Sequence, residues 1–430
     1  MKLLAFAVAL ASSWPLYGYD SARHNAGPAS GITAANVAQL TRQQVRLDGT
    51  VDSSPIMVNG TIFVTTTYGK TEAIDAKTGK VKWRFAPATY ASVAGSSQIT
   101  NASPAADPSG TAIYAASPDG VVRKLRASNG GVLWQTNVTR DPTHEKLTSS
   151  LNVSRGLVIV TTGGYIGDAP PYQGHVVTLS TKTGRIAHVW NSLCADRHTL
   201  ITPSTCSASD SAIWSRSGAA VDPANGNLVV ATGNGPYDGK TNFGDSVIVL
   251  TRDASRLVAH WTPANQAQLN SSDADLGSTG PALLPNGFAV QGGKDGVLRL
   301  LQLHGRPHLV QSLSTPGSSD LFSQPAVWQG KWVFVADSAG TQAWRFSGGK
   351  LHTAWSNGSD GTSPVVAGGL LYVAGSGAVR VYAPASGKLL AALPTGPVHW
   401  QSPIVAGGVV VMPEGNANDH ATSGVLDLFR

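Results

Sequence analysis

Charge is scarce in this chain of 430 residues. Lys, Arg, Asp and Glu together make up 13% of it, against roughly 25% in ordinary globular domains. That excludes long solvent-facing helices and coiled coils, whose outer faces are built from charged side chains. Long apolar runs are also missing. None approaches the roughly 20 residues that a membrane-spanning helix needs. Disorder is excluded by the 42% hydrophobic content, because disordered chains combine low hydrophobicity with high net charge. The net charge is +6, but the 31 basic residues are scattered and form no run. A nucleic-acid surface would gather them with aromatics on one face, so no nucleic-acid partner is expected. Cysteine is limited to Cys194 and Cys206, twelve residues apart in a loop-like stretch. Two such thiols most simply form one disulfide and are too few for a metal site. No Cys-x-x-Cys-His haem site, Gly-x-Ser-x-Gly elbow or phosphate loop occurs, so haem, hydrolase and nucleotide-binding readings lack support.

What the chain does have is glycine, 48 residues of it, and a repeat. Each unit runs Ser-Pro, apolar strand, Gly turn, apolar strand, polar turn, apolar strand, Thr-Gly-Lys-like turn, Trp. The clearest copy is Ser54-Pro55, Asn59-Gly60, Ile62-Phe63-Val64, Ala73-Ile74-Asp75, Thr78-Gly79-Lys80 and Trp83; a second carries Ser103-Pro104, Gly130 and Trp134. Later copies open at Pro281, Pro325, Pro364 and Pro403, and two copies without the proline run from Ser150 to Trp190 and from Ser217 to Trp261. Eight units of roughly 40 to 50 residues, each with four short strands, predict an all-β, eight-bladed β-propeller. The proline opens a strand, where its missing N–H costs least. The Trp four residues after the turn glycine is placed to pack on the neighbouring blade. The third copy has a gap of six (Gly184 to Trp190), and the seventh has Ala391 at the docking place.

The termini give two further expectations. Residues 1–13 (Lys2, the apolar Leu3 to Leu10, the small pair Ala9-x-Ala11) read as a short secretory signal. The mature chain, 14–430, is then a single propeller, exported to the periplasm or outside the cell. The ring closes by joining N- and C-terminal strands, with the segment from Trp14 to Tyr19 as the outer strand beside Gly424 to Phe429.

With its repeats in view, the chain resembles the pyrroloquinoline-quinone (PQQ) type eight-bladed propeller family, the quinoprotein alcohol dehydrogenases among them. The resemblance rests on Ala73-x-Asp75-x-x-Thr78-Gly79-x-x-x-Trp83 and on the opening Trp14, Tyr17-Gly18-x-Asp20, Ile32 and Asn36-Val37. It implies Trp214 as the aromatic floor beneath the quinone, Asn234 of Thr232-Gly233-Asn234 as a calcium ligand, Asp245 as catalytic base and further metal contact, and Lys294 as the donor to a quinone carbonyl. It also implies PQQ as cofactor, calcium beside it, an alcohol or related small molecule as substrate and an external electron acceptor. The family's calcium-binding Glu falls near Tyr165, which is neutral, and its adjacent Cys pair is missing around Thr67 to Lys70.

Each position has a plainer reading. Trp214 suits a core or docking Trp, Thr-Gly-Asn a turn, Asp245 a turn cap, and Lys294-Asp295-Gly296 a hairpin. Asp273 and Asp275 either help hold a cation near Asp245 or form an acidic turn before Pro281. Two functions of different class follow: a quinoprotein-like oxidoreductase, or a non-catalytic propeller scaffold binding a protein or polymer partner.

Overall fold

The computed structural model describes residues 13–318 and 320–430. The secretory signal expected over 1–13 therefore lies, Ser13 apart, outside the described residues. Eight four-stranded antiparallel blades form a β-propeller. Blades 1 to 7 span residues 56–85, 105–137, 152–191, 220–261, 282–314, 326–357 and 365–394, each running from inner to outer strand in chain order. The middle strands are buried on both sides, as Ala112–Ser117 is throughout, because a neighbouring blade covers each face. The outer strands alternate, as in Val132–Asn137. Among the described residues no helix is long and apolar enough to cross a membrane.

The Trp–Gly repeat acts as the sequence predicts. The Trp83 ring lies under the turn of the next blade and donates from Nε1 to Ala127 O at 2.9 Å. Trp134 does the same to Thr181 O at 3.2 Å, and Trp355 to Pro384 O at 2.8 Å. Glycine is required where the ring docks. Gly130 has φ +75°, and a Cβ there would stand 2.7 Å from Trp83 Cε3. In blade 3 the place four residues after Gly184 is His188, whose Nε2 is 3.5 Å from Asp253 of the next blade. Trp190 is instead core, fully buried and 6.0 Å from Phe243. Cys194 and Cys206 are disulfide-bonded and pin the loop between blades 3 and 4.

The ring closes through blade 8, which joins 404–429 to the strand Arg42–Leu47 in antiparallel register, Arg42 opposite Phe429 and Leu47 opposite Gly424. Arg42 Nε donates to the buried Asp427 at 2.8 Å. Closure by N- and C-terminal strands thus holds, but the expected partner was Trp14 to Tyr19, and that assignment is corrected. The segment from Trp14 to Gly27 is not an outer strand. It runs along the axis, where the inner edges of the blades carry unpaired backbone groups. Trp14 bridges Met57 of blade 1. The carbonyls of Pro15, Ser21, His24 and Asn25 accept from Ala106, Val221, Val327 and Val366 of blades 2, 4, 6 and 7, each at 2.8 Å. Ala26–Gly27 adds a parallel strand to blade 7.

Arg23 fastens this axial segment. It is fully buried, and its guanidinium donates to Tyr17 O (2.7 Å), Ser150 O (3.0 Å) and Leu151 O (2.9 Å). Burial pulls its pKa down to about 10. Arg23→Ala leaves three buried carbonyls without a donor and is expected to cost about 3 kcal/mol in chemical unfolding. Arg23→Lys should not restore this, since one ammonium cannot reproduce the planar fork; full recovery by Lys would refute the fastening role.

Candidate functional site

The chain approaches each inner strand through a short segment that faces the axis. In four of the six blades opened by proline, the residue three before the proline projects there: Asp52, Asn101, Phe322 and Trp400. The axial N-terminal segment lies further along the inner strands. Between the approach segments is a cavity of about 820 Å³. Trp214, Asn234, Asp275, Lys294, Phe322 and Trp400 all line it, together with Tyr165, Lys146, Arg216 and His399.

One wall is built by blades 4 and 5. Lys294 sits on the turn between the second and third strands of blade 5, and its N–H donates to Asp275 O at 3.0 Å. Its ammonium lies 2.5 Å from Asp275 Oδ2 and 2.9 Å from Asp273 Oδ1, and 5.5 Å from the centre of the Trp214 ring. Burial alone would lower its pKa, but Asp275 and Asp273 outweigh that and hold it above the ordinary lysine value. Asn234 follows the second strand of blade 4. Its N–H donates to Asp275 Oδ1 at 2.7 Å and its Nδ2 to Asp273 Oδ1 at 2.7 Å. Its Oδ1 is buried and accepts no hydrogen bond from the protein. Burial raises the Asp275 carboxyl despite Lys294 beside it.

Asp245 is placed differently from its three companions. It is fully buried and does not line the cavity. Its carboxyl lies behind the acidic loop, accepting from Leu276 N at 3.1 Å and Gln266 Nε2 at 3.4 Å. Burial, with Asp275 nearby, pushes its pKa to about 7. Of the four residues singled out in the sequence, Trp214, Asn234 and Lys294 therefore share the cavity, while Asp245 supports the loop that brings Asp275 into it. Tyr165 lines the cavity and donates to Pro142 O at 2.9 Å.

A second group was not found from the sequence. Arg216 donates to Asp52 O (2.7 Å) and Oδ1 (3.0 Å), and His399 Nδ1 is 2.8 Å from Asp52 Oδ2. Burial of Asp52 works against its charge, but Arg216 and His399 prevail and its pKa is lowered. Trp400 stacks on Phe322 (4.5 Å, 13°) and on His399 (4.0 Å, 23°), and the Trp214 ring stands 6.2 Å from Trp400. The signal was available: the repeat proline counted back by three marks Asp52, Phe322 and Trp400 as axial. Lys146 and Arg216 carry no such mark.

The chain is similar to known proteins throughout this architecture. A family model described as outer membrane protein assembly factor BamB matches residues 38–201. The quinohemoprotein alcohol dehydrogenase ADH IIB of Pseudomonas putida is 24% identical over 58% of this chain and 39% of its own length. The polyvinylalcohol dehydrogenase of Sphingopyxis sp. (strain 113P3) is 25% identical over 56% of this chain and 38% of its own. The aligned region thus spans about two-fifths of each curated relative. Among solved structures, the quinohemoprotein alcohol dehydrogenase of Comamonas testosteroni aligns with a TM-score of 0.76 at 16% identity, covering 100% of this chain and 82% of that one. BamB from Moraxella catarrhalis aligns at 0.60 and 14%, covering 91% and 97%. At such identities the structures share the fold.

Asp245 offers a direct test of the buried arrangement. Its carboxyl holds a proton in the folded state up to about pH 7, whereas an unfolded Asp releases it near 3.9. Between those values the folded state binds more protons, so stability falls as pH rises, by up to roughly 1.4 kcal/mol per unit. Asp245→Asn should flatten that slope between about pH 4 and 7 in denaturant titrations. An unchanged slope would place the proton elsewhere.

In repeats, blade number and relatives alike, the chain is similar to the quinoprotein alcohol dehydrogenases, and its resemblance to the PQQ-type eight-bladed propellers holds.

Proposed function

We propose that this propeller is a quinoprotein-like oxidoreductase that oxidises an alcohol or related hydroxyl compound, with a PQQ-type quinone held in the axial cavity. One observation carries the reading: Trp214, Asn234, Asp275 and Lys294, from two adjacent blades, meet in one cavity of about 820 Å³. A flat polyanionic quinone suits an aromatic face and cationic donors. The buried, unbonded Asn234 Oδ1 fits a site that a ligand completes.

When bound, the quinone supplies a two-electron acceptor able to take hydride. Trp214 would offer it a ring face, and Lys294 would be its hydrogen-bond donor. Asp275, which is 7% exposed, accepts the proton of the substrate hydroxyl. Asp245 acts through the loop as a positioning residue, because it has no surface on the cavity; the base assigned to it from the sequence is reassigned to Asp275. Calcium does not fit this donor set. The ion takes six to eight oxygens, while Tyr165 replaces a carboxylate and the Lys294 ammonium already neutralises Asp275. Among the described residues no group of three His, Cys, Asp or Glu is arranged for a metal. Turnover would need an external electron acceptor. The disulfide supports an exported protein, since such bonds persist in oxidising compartments.

A non-catalytic scaffold is the second reading, favoured by the family model described as BamB over residues 38–201. Titration with PQQ separates the two. The oxidoreductase reading expects saturable quenching of Trp fluorescence at micromolar PQQ, and turnover that Asp275→Asn lowers by at least roughly 100-fold with binding retained. No saturable change at micromolar PQQ would favour the scaffold.

A further inference from the structure

Lys146 lines the cavity but has no part in the chemistry above. It lies on the two-residue strand Glu145–Lys146, paired with Gly163–Gly164. Alternation along a strand sends the two side chains opposite ways. Glu145 turns into the protein, its Oε1 2.7 Å from His175 Nε2, while Lys146 faces the cavity. Lys146 is only 7% exposed. Among the described residues its ammonium forms no hydrogen bond, and no carboxylate lies within 4.0 Å of it.

Its charged neighbours do not satisfy it. Asp52 gives both oxygens to Arg216, His399, Asn101 and the Ala417 amide. Arg216 adds a like charge. Burial and then Arg216 bring the Lys146 pKa down to about 7, with Asp52 opposing them. A buried ammonium without a partner is unfavourable unless something completes it. Aromatic rings line the same cavity: Trp214, Phe322 and Trp400, the last with the Arg216 guanidinium 5.2 Å from its centre. The acidic wall at Asp273 and Asp275 lies with Lys294 on another side of the cavity and repels a second anion there.

We propose that Lys146 anchors an anion subsite that takes one carboxylate of a flat aromatic ligand held in the cavity it shares with Trp214. The inference rests on the quinone reading for the ligand's identity and on Lys146 for the subsite. A planar acid would enter with its carboxylate toward Lys146 and its opposite edge toward Lys294.

Two probes test it in the full chain: PQQ, and naphthalene-2,6-dicarboxylate, which has no quinone. Each is titrated by Trp fluorescence into wild type, K146M and K146R, with thermal unfolding as the check on folding. K146M should bind both roughly 10- to 100-fold more weakly and melt no lower than wild type, because it removes a buried unpaired charge. K146R should recover most of the affinity. Wild-type affinity should fall above about pH 7, and K146M should lose that dependence. If the dicarboxylate binds through Lys146 and PQQ does not, the subsite stands and the quinone reading falls. If K146M binds PQQ as wild type does, the subsite is overturned and the quinone reading survives. If neither probe binds wild type, both are overturned.

Discussion

Eight sheets meeting at one axis present eight inner edges, and each edge carries backbone donors that must be paired. This constraint organises the molecule. The segment from Trp14 to Gly27 answers it over one stretch of the axis, lending carbonyls to blades 2, 4, 6 and 7 and a parallel strand to blade 7. Beyond that stretch the approach segments diverge, and the gap between them is the cavity. The same event that seals the axis therefore creates the site. Arg23 joins the two roles, because it fixes the axial segment to the carbonyls of Ser150 and Leu151 just after the approach that carries Thr148 to the cavity.

Few charges are present in the chain, yet several, the exposed Asp273 apart, are gathered in buried or half-buried positions around the cavity. They are arranged as two clusters. Asp273, Asp275 and Lys294 form one, with Asn234 bridging the carboxylates. Asp52, Arg216 and His399 form the other. Within each, opposite charges offset the cost of burial that neither sign could bear alone. Lys146 is the departure from that rule, and Asp245 solves the same problem by keeping its proton. Burial in a low-dielectric setting raises a carboxyl and lowers an ammonium, as at Asp245, Asp275 and Lys146, whereas ion pairing prevails at Lys294 and Asp52 and shifts them the other way.

The relatives share this frame at 14 to 16% identity in the solved structures quoted above. Blade packing tolerates such divergence, because a Trp ring over a Gly turn and an apolar middle strand are demands of volume and backbone rather than of specific neighbours. Function lies instead in the approach segments, which packing leaves free to vary. That is why a dehydrogenase and an assembly factor can both align with one chain.

Blade number and the docking of Trp83 and Trp134 were legible in the sequence, since they depend on periodicity, a strand-opening proline and a left-handed turn, all local properties. Trp214, Asn234 and Lys294 were singled out through family resemblance, and the three line one cavity. The closing strand was not: Trp14 to Tyr19 is the apolar stretch and Arg42 to Leu47 is mostly polar, and only the ring geometry decides that the first fills the axis and the second completes blade 8. Nor could the sequence choose between Asp245 and Asp275, thirty residues apart along the chain, because which carboxyl faces the cavity depends on how the loop after blade 4 folds back over Leu276. Lys146, Asp52 and Arg216 acquire their character solely from burial beside one another. Local chemistry wrote the blades; the closing of the ring determined which charges would lose their water.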